Sequence, residues 1–204
     1  MTESTNPDWM ERIAKSPKLM LEVIKILREV HENELCVIQR MEEGKYQLDR
    51  ERRIDAIAFE VDAEVWLRGV GLYGNYANIK LKAHIKVFLN EDCHLEETKE
   101  YTREYAYSPV KIIFSYPVKI KPNRRYDIIT SISGGWTNYG VNAKKVVQSS
   151  GKNPFNVTFY DSPLTLGSRL LDQDSTSTEG GQIPALYFRA PFRTDSLVRP
   201  GPEL

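Results

Sequence analysis

The stretch that decides the fold runs from Arg53 to Leu89 and reads RIDAIAFEVDAEVWLRGVGLYGNYANIKLKAHIKVFL. At its centre, Gly69 to Gly74 fits the G-x-G-x-x-G pattern of dinucleotide-binding proteins. That pattern holds a pyrophosphate only where a strand ends in a glycine turn that opens a helix, because the amide groups of the helix N-terminus bind the phosphates. The role of these glycines therefore depends on the segment that follows them.

The segment after the glycines has the pattern of a strand. Between Ile79 and Leu89, apolar residues occupy every second position, and lysine or histidine fills most of the positions between them. A period of two gives one buried face and one wet face. A shorter alternation from Val61 to Leu67 precedes the glycines. We therefore expect the glycines to lie in a loop that joins two strands, which disfavours a dinucleotide site.

Composition sets limits on the class of protein. The chain has 204 residues, with 28 basic and 28 acidic side chains, which fits one domain with short extensions. The balanced charge gives no general reason to expect binding to nucleic acid or to an anionic membrane. No apolar run reaches the ~18 residues of a membrane span, and the N-terminus lacks the apolar region of a signal peptide. Two cysteines do not make a disulfide framework, so we expect a cytoplasmic protein.

The first part of the chain, residues 1–34, is predicted to be a helical extension. Ser16 and Pro17 form a helix start signal, with an N-cap residue followed by proline at the first helical position. Apolar residues then recur at spacings of three and four as far as His31, which predicts one apolar stripe on a helix. This stripe packs on the domain that follows, pairs with another chain, or is the end of a helical region further upstream.

Residues 35–190 are predicted to form an all-β domain. We count nine to eleven short alternating runs separated by Gly, Pro, Asn and Ser turns, with no crossover long enough for a helix. These features are typical of an antiparallel β-sandwich. Residues 161–181 are expected to form a long loop, and residues 191–204, rich in proline and charge, a disordered tail.

Two runs carry signs of their position in a sheet. The charged run from Thr98 to Tyr107 is expected at an edge, where charge discourages pairing with other molecules. Pro117 lies inside the alternating run from Val110 to Ile120, so we expect it at an edge, a bulge or a break between two strands.

A search for catalytic, metal or cofactor sites finds no specific pattern. Cys93 and His94 are adjacent in a predicted loop, and adjacent residues of an extended chain point in opposite directions, which disfavours a nucleophile and base pair. Two distant cysteines do not provide the ligand pairs of a zinc site. The prediction is a protein that is not an enzyme and has no cofactor and no metal. A hydrolase that uses Asp161 or Glu179 is kept as a hypothesis beside the binding functions described below.

Three glycine-rich segments with neighbouring aromatic residues are the candidate binding site. Glycine permits close backbone approach, and aromatic residues in loops supply rigid contact area. Alternatively, the aromatic residues cap the ends of the core. The predicted partner-binding residues are Gly71, Leu72, Tyr73, Gly74, Gly134, Trp136, Tyr139, Gly140, Gln182 and Ile183.

Four short motifs occur in order along the chain: Arg53 to Asp62, Gly69 to Gly74, Asn138-Tyr-Gly140 and Gly181-Gln-Ile-Pro184. Together they resemble the PHR domain, which is named for the PAM and Highwire family of large ubiquitin ligases and also closes a group of BTB-domain proteins. The resemblance covers about residues 35–190. It implies a many-stranded β-sandwich that is a non-enzymatic protein-interaction module, associated in relatives with recognition of partners in ubiquitin-ligase assemblies.

This resemblance leads to our main functional hypothesis, an adaptor that binds a partner protein through the three glycine segments. Two cysteines exclude a RING, and the ~50 residues before the sandwich are too few for a BTB domain, so a ligase activity would come from another protein. Replacing both Tyr73 and Trp136 by alanine is expected to abolish binding with little change in thermal stability. The alternative is a sandwich that binds a small ligand or carbohydrate with the same aromatic residues.

Overall fold

The structure is a computed structural model of the chain, which divides into two compact units, Met1–Leu35 and Cys36–Leu204. The residues it describes are 15–22, 35–42, 46–48, 54–75, 79–102, 108–150, 154–163 and 176–189.

In the first unit, the described residues include one helical segment, 17–22. The backbone N–H of Leu19 donates to Ser16 Oγ at 3.4 Å, and the N–H of Met20 donates to the Ser16 carbonyl at 2.9 Å. The predicted helix start at Ser16 and Pro17 is therefore confirmed. The rest of the predicted stripe, as far as His31, lies outside the described residues. In the described part of the chain, no helix has the length and apolar character needed to cross a membrane.

The second unit is built from antiparallel strands. Thirteen strand segments occur in its described part, where nine to eleven were expected, and the excess comes from segments of two or three residues. The strands are β1 (Cys36–Gln39), β2 (Tyr46–Leu48), β3 (Ile54–Val61), β4 (Val65–Tyr73), β5 (Leu81–Leu89), β6 (Asp92–Tyr101), β7 (Pro109–Ile120), β8 (Tyr126–Ser133), β9 (Thr137–Val141), β10 (Val146–Gln148), β11 (Asn156–Asp161), β12 (Gly180–Gly181) and β13 (Ala185–Arg189).

The strands form two main sheets around one core. One sheet has the order β1-β13-β4-β7 and the other the order β10-β11-β3-β8-β5-β6. Their inner faces share one hydrophobic cluster, in which the ring of Phe188 lies 5.9 Å from that of Phe59 and 5.6 Å from that of Phe155. The predicted all-β antiparallel sandwich is confirmed. A small third sheet has the order β12-β9-β2.

Strand β5 shows why the sequence pattern predicts the fold. Leu81, Ala83, Ile85 and Val87 are buried in the core, and the intervening residues are half-buried or exposed on the other face. β5 lies between β6 and β8 in the six-stranded sheet. The segment after the glycines is therefore a strand, and the geometry that a dinucleotide site needs is not formed.

The position of the glycines differs from the prediction. Gly69 and Gly71 are within β4, and the turn that interrupts the preceding alternation lies at Asp62–Glu64 instead. The register between β4 and β7 shifts between Leu67 and Gly69, and the pairing of the two strands then continues from Gly69 to Tyr73. At this bulge a side chain on Gly69 would overlap the backbone carbonyl of Ile112. The glycines therefore allow close strand pairing and do not form a loop.

Replacement of Gly69 by alanine is expected to lower the free energy of unfolding by about 2 kcal/mol, because an added methyl group would press on a backbone atom that cannot rotate away. The matched control is Gly71→Ala, where the methyl group would meet side-chain carbons of Ala185 at 3.0 Å and Pro109 at 3.3 Å. Urea denaturation of both variants measures the difference. An equal loss of stability in the two variants would contradict the role assigned to the bulge.

The edge of the six-stranded sheet is formed by β6, as its charges predicted, but the strand begins earlier than expected. A turn at Asn90 and Glu91, with Asn90 at φ 57°, joins β5 directly to β6. Cys93 and His94 are therefore in a strand and not in a loop. Residues 103–107, the end of the predicted run, lie outside the described residues.

Pro117 lies where a proline is tolerated. β7 is the edge strand of the four-stranded sheet, and Pro117 falls in the stretch of β7 that bulges between Ile113 and Val118. The prediction of an edge or bulge is confirmed. The predicted turn at Gly180 and Gly181 forms β12, and residues 164–175 of the predicted loop and the tail 191–204 lie outside the described residues.

Candidate interaction site

The small third sheet brings the predicted glycine segments together. β9 is its central strand, with Gly181 paired to Gly140 on one side and Tyr46 paired to Tyr139 on the other. The N–H of Asn138 donates to the Gly74 carbonyl at 2.9 Å, which joins β9 to the end of β4. Segments that are far apart in sequence therefore meet at this sheet.

Tyr73 is a buried support of this sheet, with no exposed side-chain surface. Its Oη donates to the Glu42 carbonyl at 3.3 Å, and its own carbonyl accepts a hydrogen bond from Tyr101 Oη at 3.2 Å. A side chain on Gly140 would lie 2.5 Å from Tyr73 Oη, so the glycine leaves room for the ring. Burial raises the pKa of Tyr101 well above its usual range, so this hydroxyl remains a donor.

Gln182 fixes the loop before β13 to β9. Its Nε2 donates to Thr137 Oγ1 and to the Asn138 carbonyl, and its backbone N–H donates to Thr176 Oγ1 at 3.0 Å. Gln182 and its neighbour Ile183 are fully buried. Burial and multiple hydrogen bonds make this loop a rigid part of the sandwich.

Trp136 is the exposed aromatic residue of the candidate set, with 54% of its surface accessible. It follows Gly134 and Gly135, whose φ values of 104° and 143° are unfavourable for other residues. Ile79 packs over Gly135, where an added Cβ would lie 2.7 Å from Ile79 Cδ1, and Ile79 is itself exposed. We call Ile79, Gly135 and Trp136 the tryptophan patch.

The backbone on both sides of the tryptophan patch is held in place. The N–H of Ile79 donates to Oδ1 of the buried Asn75 at 3.2 Å. Trp136 is followed directly by β9, where Thr137 and Asn138 are buried. Sequence reasoning missed Ile79 as a surface residue, because its place at the start of the alternating run assigned it to the buried face.

The candidate set therefore divides by burial, which the sequence did not predict. Trp136 and Gly134 are exposed and Tyr139 is half-buried. The other seven residues are buried and act as supports for the loops in the described structure: Gly71, Leu72, Tyr73, Gly74, Gly140, Gln182 and Ile183.

Arg40 is a structurally important residue that sequence reasoning missed. It is only 1% exposed, and its guanidinium donates to the carbonyls of Ser177 and Ile183 and lies 5.1 Å from the centroid of the Phe159 ring. Burial lowers the pKa of Arg40 to about 10, so it stays charged at neutral pH. Arg40 thus ties the end of β1 to the loops around β12. A single arginine after a short strand gave no signal of this role.

A cavity of about 570 Å³ lies where β1 and β9 end and β7 begins. Among the described residues that line it, Glu42 is the acidic one, and Arg40 and Lys144 are basic. The other described lining residues are Gln39, Ser108, Pro109, Val141 and Asn142.

The carboxylates of the hydrolase hypothesis are not among the described residues that line this cavity. Asp161 Oδ1 accepts a hydrogen bond from the N–H of Thr178 at 2.7 Å, and the Glu179 carbonyl accepts one from Ala143. Within the described chain, no group of three or more His, Cys, Asp or Glu residues is arranged to hold a metal ion.

A comparison with family models decides the family. The model of the PHR domain matches residues 39–189, which is most of the chain. This chain belongs to the PHR domain family. The resemblance seen in the sequence motifs is therefore confirmed, and the small sheet, the tryptophan patch and the cavity are features of a PHR domain.

Similar curated proteins carry a BTB/POZ name. BTB/POZ domain-containing protein 3 of Homo sapiens is 27% identical over 139 residues, a match that covers 68% of this chain and 25% of that protein. BTB/POZ domain-containing protein 6-A of Danio rerio is 26% identical over 140 residues, which are 68% of this chain and 24% of that protein. The match thus spans about a quarter of the length of these relatives. A PHR domain in such proteins suggests a protein-interaction module.

Proposed function

We propose that this PHR domain is a non-enzymatic protein-interaction module that recognises a partner protein through the tryptophan patch. The observation that carries the proposal is the exposure of Trp136 on a glycine turn whose surroundings are fixed by hydrogen bonds. Large exposed aromatic residues are frequent centres of binding energy in protein interfaces. A rigid loop also loses little conformational entropy when it binds.

The buried motif residues have a supporting role in this proposal. Gln182 and Asn138 connect the loop before β13 and the end of β4 to β9. β9 in turn begins one residue after Trp136. The three glycine segments therefore determine where the tryptophan patch is held, and only the patch itself and the half-buried Tyr139 are assigned to contact with the partner.

A more specific part of the proposal concerns the kind of protein assembly in which this domain acts. On the strength of the family resemblance, we place this chain as a cytoplasmic adaptor that recognises a partner or substrate in a ubiquitin-ligase-related assembly. The chain has two cysteines, fewer than a RING requires. In this proposal the residues of this sequence supply recognition and not the ligase activity.

Trp136→Ala is expected to weaken partner binding by about 30-fold, the loss of a typical interface hot spot of about 2 kcal/mol. The free energy of unfolding should change by less than about 0.5 kcal/mol, because the side chain is exposed. Affinity capture from cell lysate followed by mass spectrometry identifies the bound proteins, and titration of the purified partner gives the affinity.

The matched control is Tyr116→Ala. Tyr116 is an aromatic residue of similar exposure, 51%, and it lies on the bulge of β7, in a sheet that contains no residue of the tryptophan patch. This variant should bind the partner as the wild type does. Equal capture of the partner by wild type and Trp136→Ala would refute the proposal. If the captured proteins include no ubiquitin-ligase subunit, the proposed role in a ligase-related assembly is refuted.

The alternative of a carbohydrate site at the same segments loses part of its contact surface. Tyr73 has no exposed face on which a sugar ring can stack, which leaves Trp136 and the half-buried Tyr139. A glycan panel monitored by thermal shift tests this alternative, since a bound ligand in excess raises the midpoint.

A further inference from the structure

Charge is separated between the two sheets although the whole chain is neutral. The strands of the four-stranded sheet contain four basic residues and no aspartate or glutamate. The strands of the six-stranded sheet contain eight acidic residues and three lysines. A surface of one sign on a neutral chain is a feature that favours a partner of the opposite sign. The basic residues are Arg68, Lys111, Lys119 and Arg189.

Strand register places these residues on the outer face of the four-stranded sheet. Arg189, Trp66 and Lys119 are directly opposite one another on β13, β4 and β7. Further along the same three strands, Gly71 of β4 lies between Ala185 of β13 and Lys111 of β7. These residues alternate with core residues, so their side chains point away from the core. We call this surface the basic face and define it by Arg68, Lys111, Lys119 and Arg189.

The lysines of the basic face lie over aromatic rings. Lys119 Nζ is 5.8 Å from the centroid of Trp66, and Lys111 Nζ is 5.9 Å from the centroid of Tyr187. Lys111 reaches Tyr187 diagonally because the glycines of β4 have no side chain between them. Both lysines remain exposed, and their stems cover apolar surface.

One described carboxylate forms an ion pair with a residue of the basic face. Glu64, next to the start of β4, forms an ion pair with Lys119 at 2.9 Å. No ion pair that joins the described residues involves Lys111 or Arg68. Among the described residues, these two cations are therefore the charge that a partner can neutralise.

The basic face continues into the cavity at the end of β1. Gln39 and Pro109, whose side chains are on the outer side of the sheet, also line the cavity. Lys144 lies on the far side of this cavity and is exposed. The β4 partners of Lys119 and Lys111 are Trp66 and Gly71, so the two lysines lie about 17 Å apart along the strands, and Lys144 extends the surface beyond Lys111. A surface of this length and sign fits an extended chain of about eight to ten residues.

We infer that the basic face, with Lys144 at the cavity, binds an acidic extended segment of a partner protein. The carboxylates of such a segment pair with Lys111, Lys144 and Arg68, and its apolar atoms lie over the half-buried Trp66. A second copy of this chain is a weaker fit, because Glu96 and Glu100, on the wet side of β5 and β6, are already paired with Lys86 and Lys80. This surface is separate from the tryptophan patch.

The test is fluorescence anisotropy with a labelled decapeptide of alternating Glu and Thr. The wild type is expected to bind it with an affinity that falls as salt is raised, since screening weakens exposed charges. The double variant Lys111→Glu/Lys144→Glu should bind at least about tenfold more weakly. The matched control is Lys82→Glu/Lys86→Glu, which makes the same change of net charge on the other sheet and should bind as the wild type does. Thermal midpoints confirm that the variants are folded.

Several results would overturn the inference. Equal affinity for a decapeptide with Gln in place of Glu would show that charge is not recognised, and equal losses in both double variants would show only a general charge effect. Tighter binding to a ten-nucleotide oligothymidylate would assign the face to nucleic acid. Self-association in sedimentation that Lys111→Glu/Lys144→Glu abolishes, without peptide binding, would assign it to a second copy. Trp136→Ala should leave the peptide affinity unchanged, so this inference and the proposed function fail independently.

Discussion

Replacement of Tyr73 by alanine is expected to lower the free energy of unfolding by about 3–5 kcal/mol, the usual loss for a buried aromatic residue. The ring is fully buried between β4 and the small sheet, where Gly140 leaves space for it. Removal of the ring leaves a cavity and an unpaired carbonyl at Glu42. The thermal midpoint of a domain of this size should fall by roughly 6–20 °C.

The control for this prediction is Tyr73→Phe. It keeps the ring and removes the hydroxyl that donates to Glu42, so the loss should be about 1 kcal/mol. A nearly unchanged midpoint for Tyr73→Ala would show that the ring is not packed as described. The expectation from sequence, that Tyr73→Ala combined with Trp136→Ala leaves stability unchanged, is revised accordingly, and Trp136→Ala alone isolates binding.

Replacement of Arg40 by methionine is expected to lower the free energy of unfolding by about 2–4 kcal/mol, because one buried and one partly buried carbonyl each lose a charged donor. Those carbonyls belong to Ser177 and Ile183, in the loops on either side of β12. Methionine fills much of the volume, so the loss reports mainly on hydrogen bonds and on the contact with Phe159. Chemical denaturation measures it.

Arg125→Met is the matched control for the Arg40 variant. Arg125 also lies over an aromatic ring, at 4.7 Å from the centroid of Tyr160, and donates to the Asp161 carbonyl at 2.5 Å, but it is exposed. Its loss should cost less than about 0.5 kcal/mol, because water replaces the contacts. Similar losses in the two variants would mean that burial does not set the importance of Arg40.

Most of the sandwich could be predicted from local sequence. Alternation from Leu81 to Leu89 identifies β5, and Pro117 within β7 indicates an edge or bulge. The predicted ends of the strands were less accurate, because the end of a strand depends on the strands that pair with it. β4 extends through Gly69 and Gly71, which pair with Ile113 and Lys111 of β7 beyond a shift in register. From sequence alone a glycine indicates a loop, and only the position of the neighbouring strand shows that it belongs to a sheet.

The sequence predicted which segments form the candidate site, but it did not predict which of their residues are exposed. The motifs around Gly74, Asn138 and Gln182 do come together at the small sheet. Sequence indicates that aromatic and glycine residues cluster there, but it does not distinguish a ring that faces solvent from one that faces another strand. That distinction separates Trp136 from Tyr73.

The sequence by itself determined the fold class and the family, because both depend on patterns within one strand or one motif: apolar residues at every second position, and four short motifs in a fixed order. Tertiary structure alone decided which motif residues are buried and how charge is distributed over the two sheets. Burial and surface charge depend on which strands become neighbours, and the neighbours of β4, for example, are β13 and β7, far away along the chain. The same physical reason explains why Arg40 was missed and why the basic face is visible only in the folded domain.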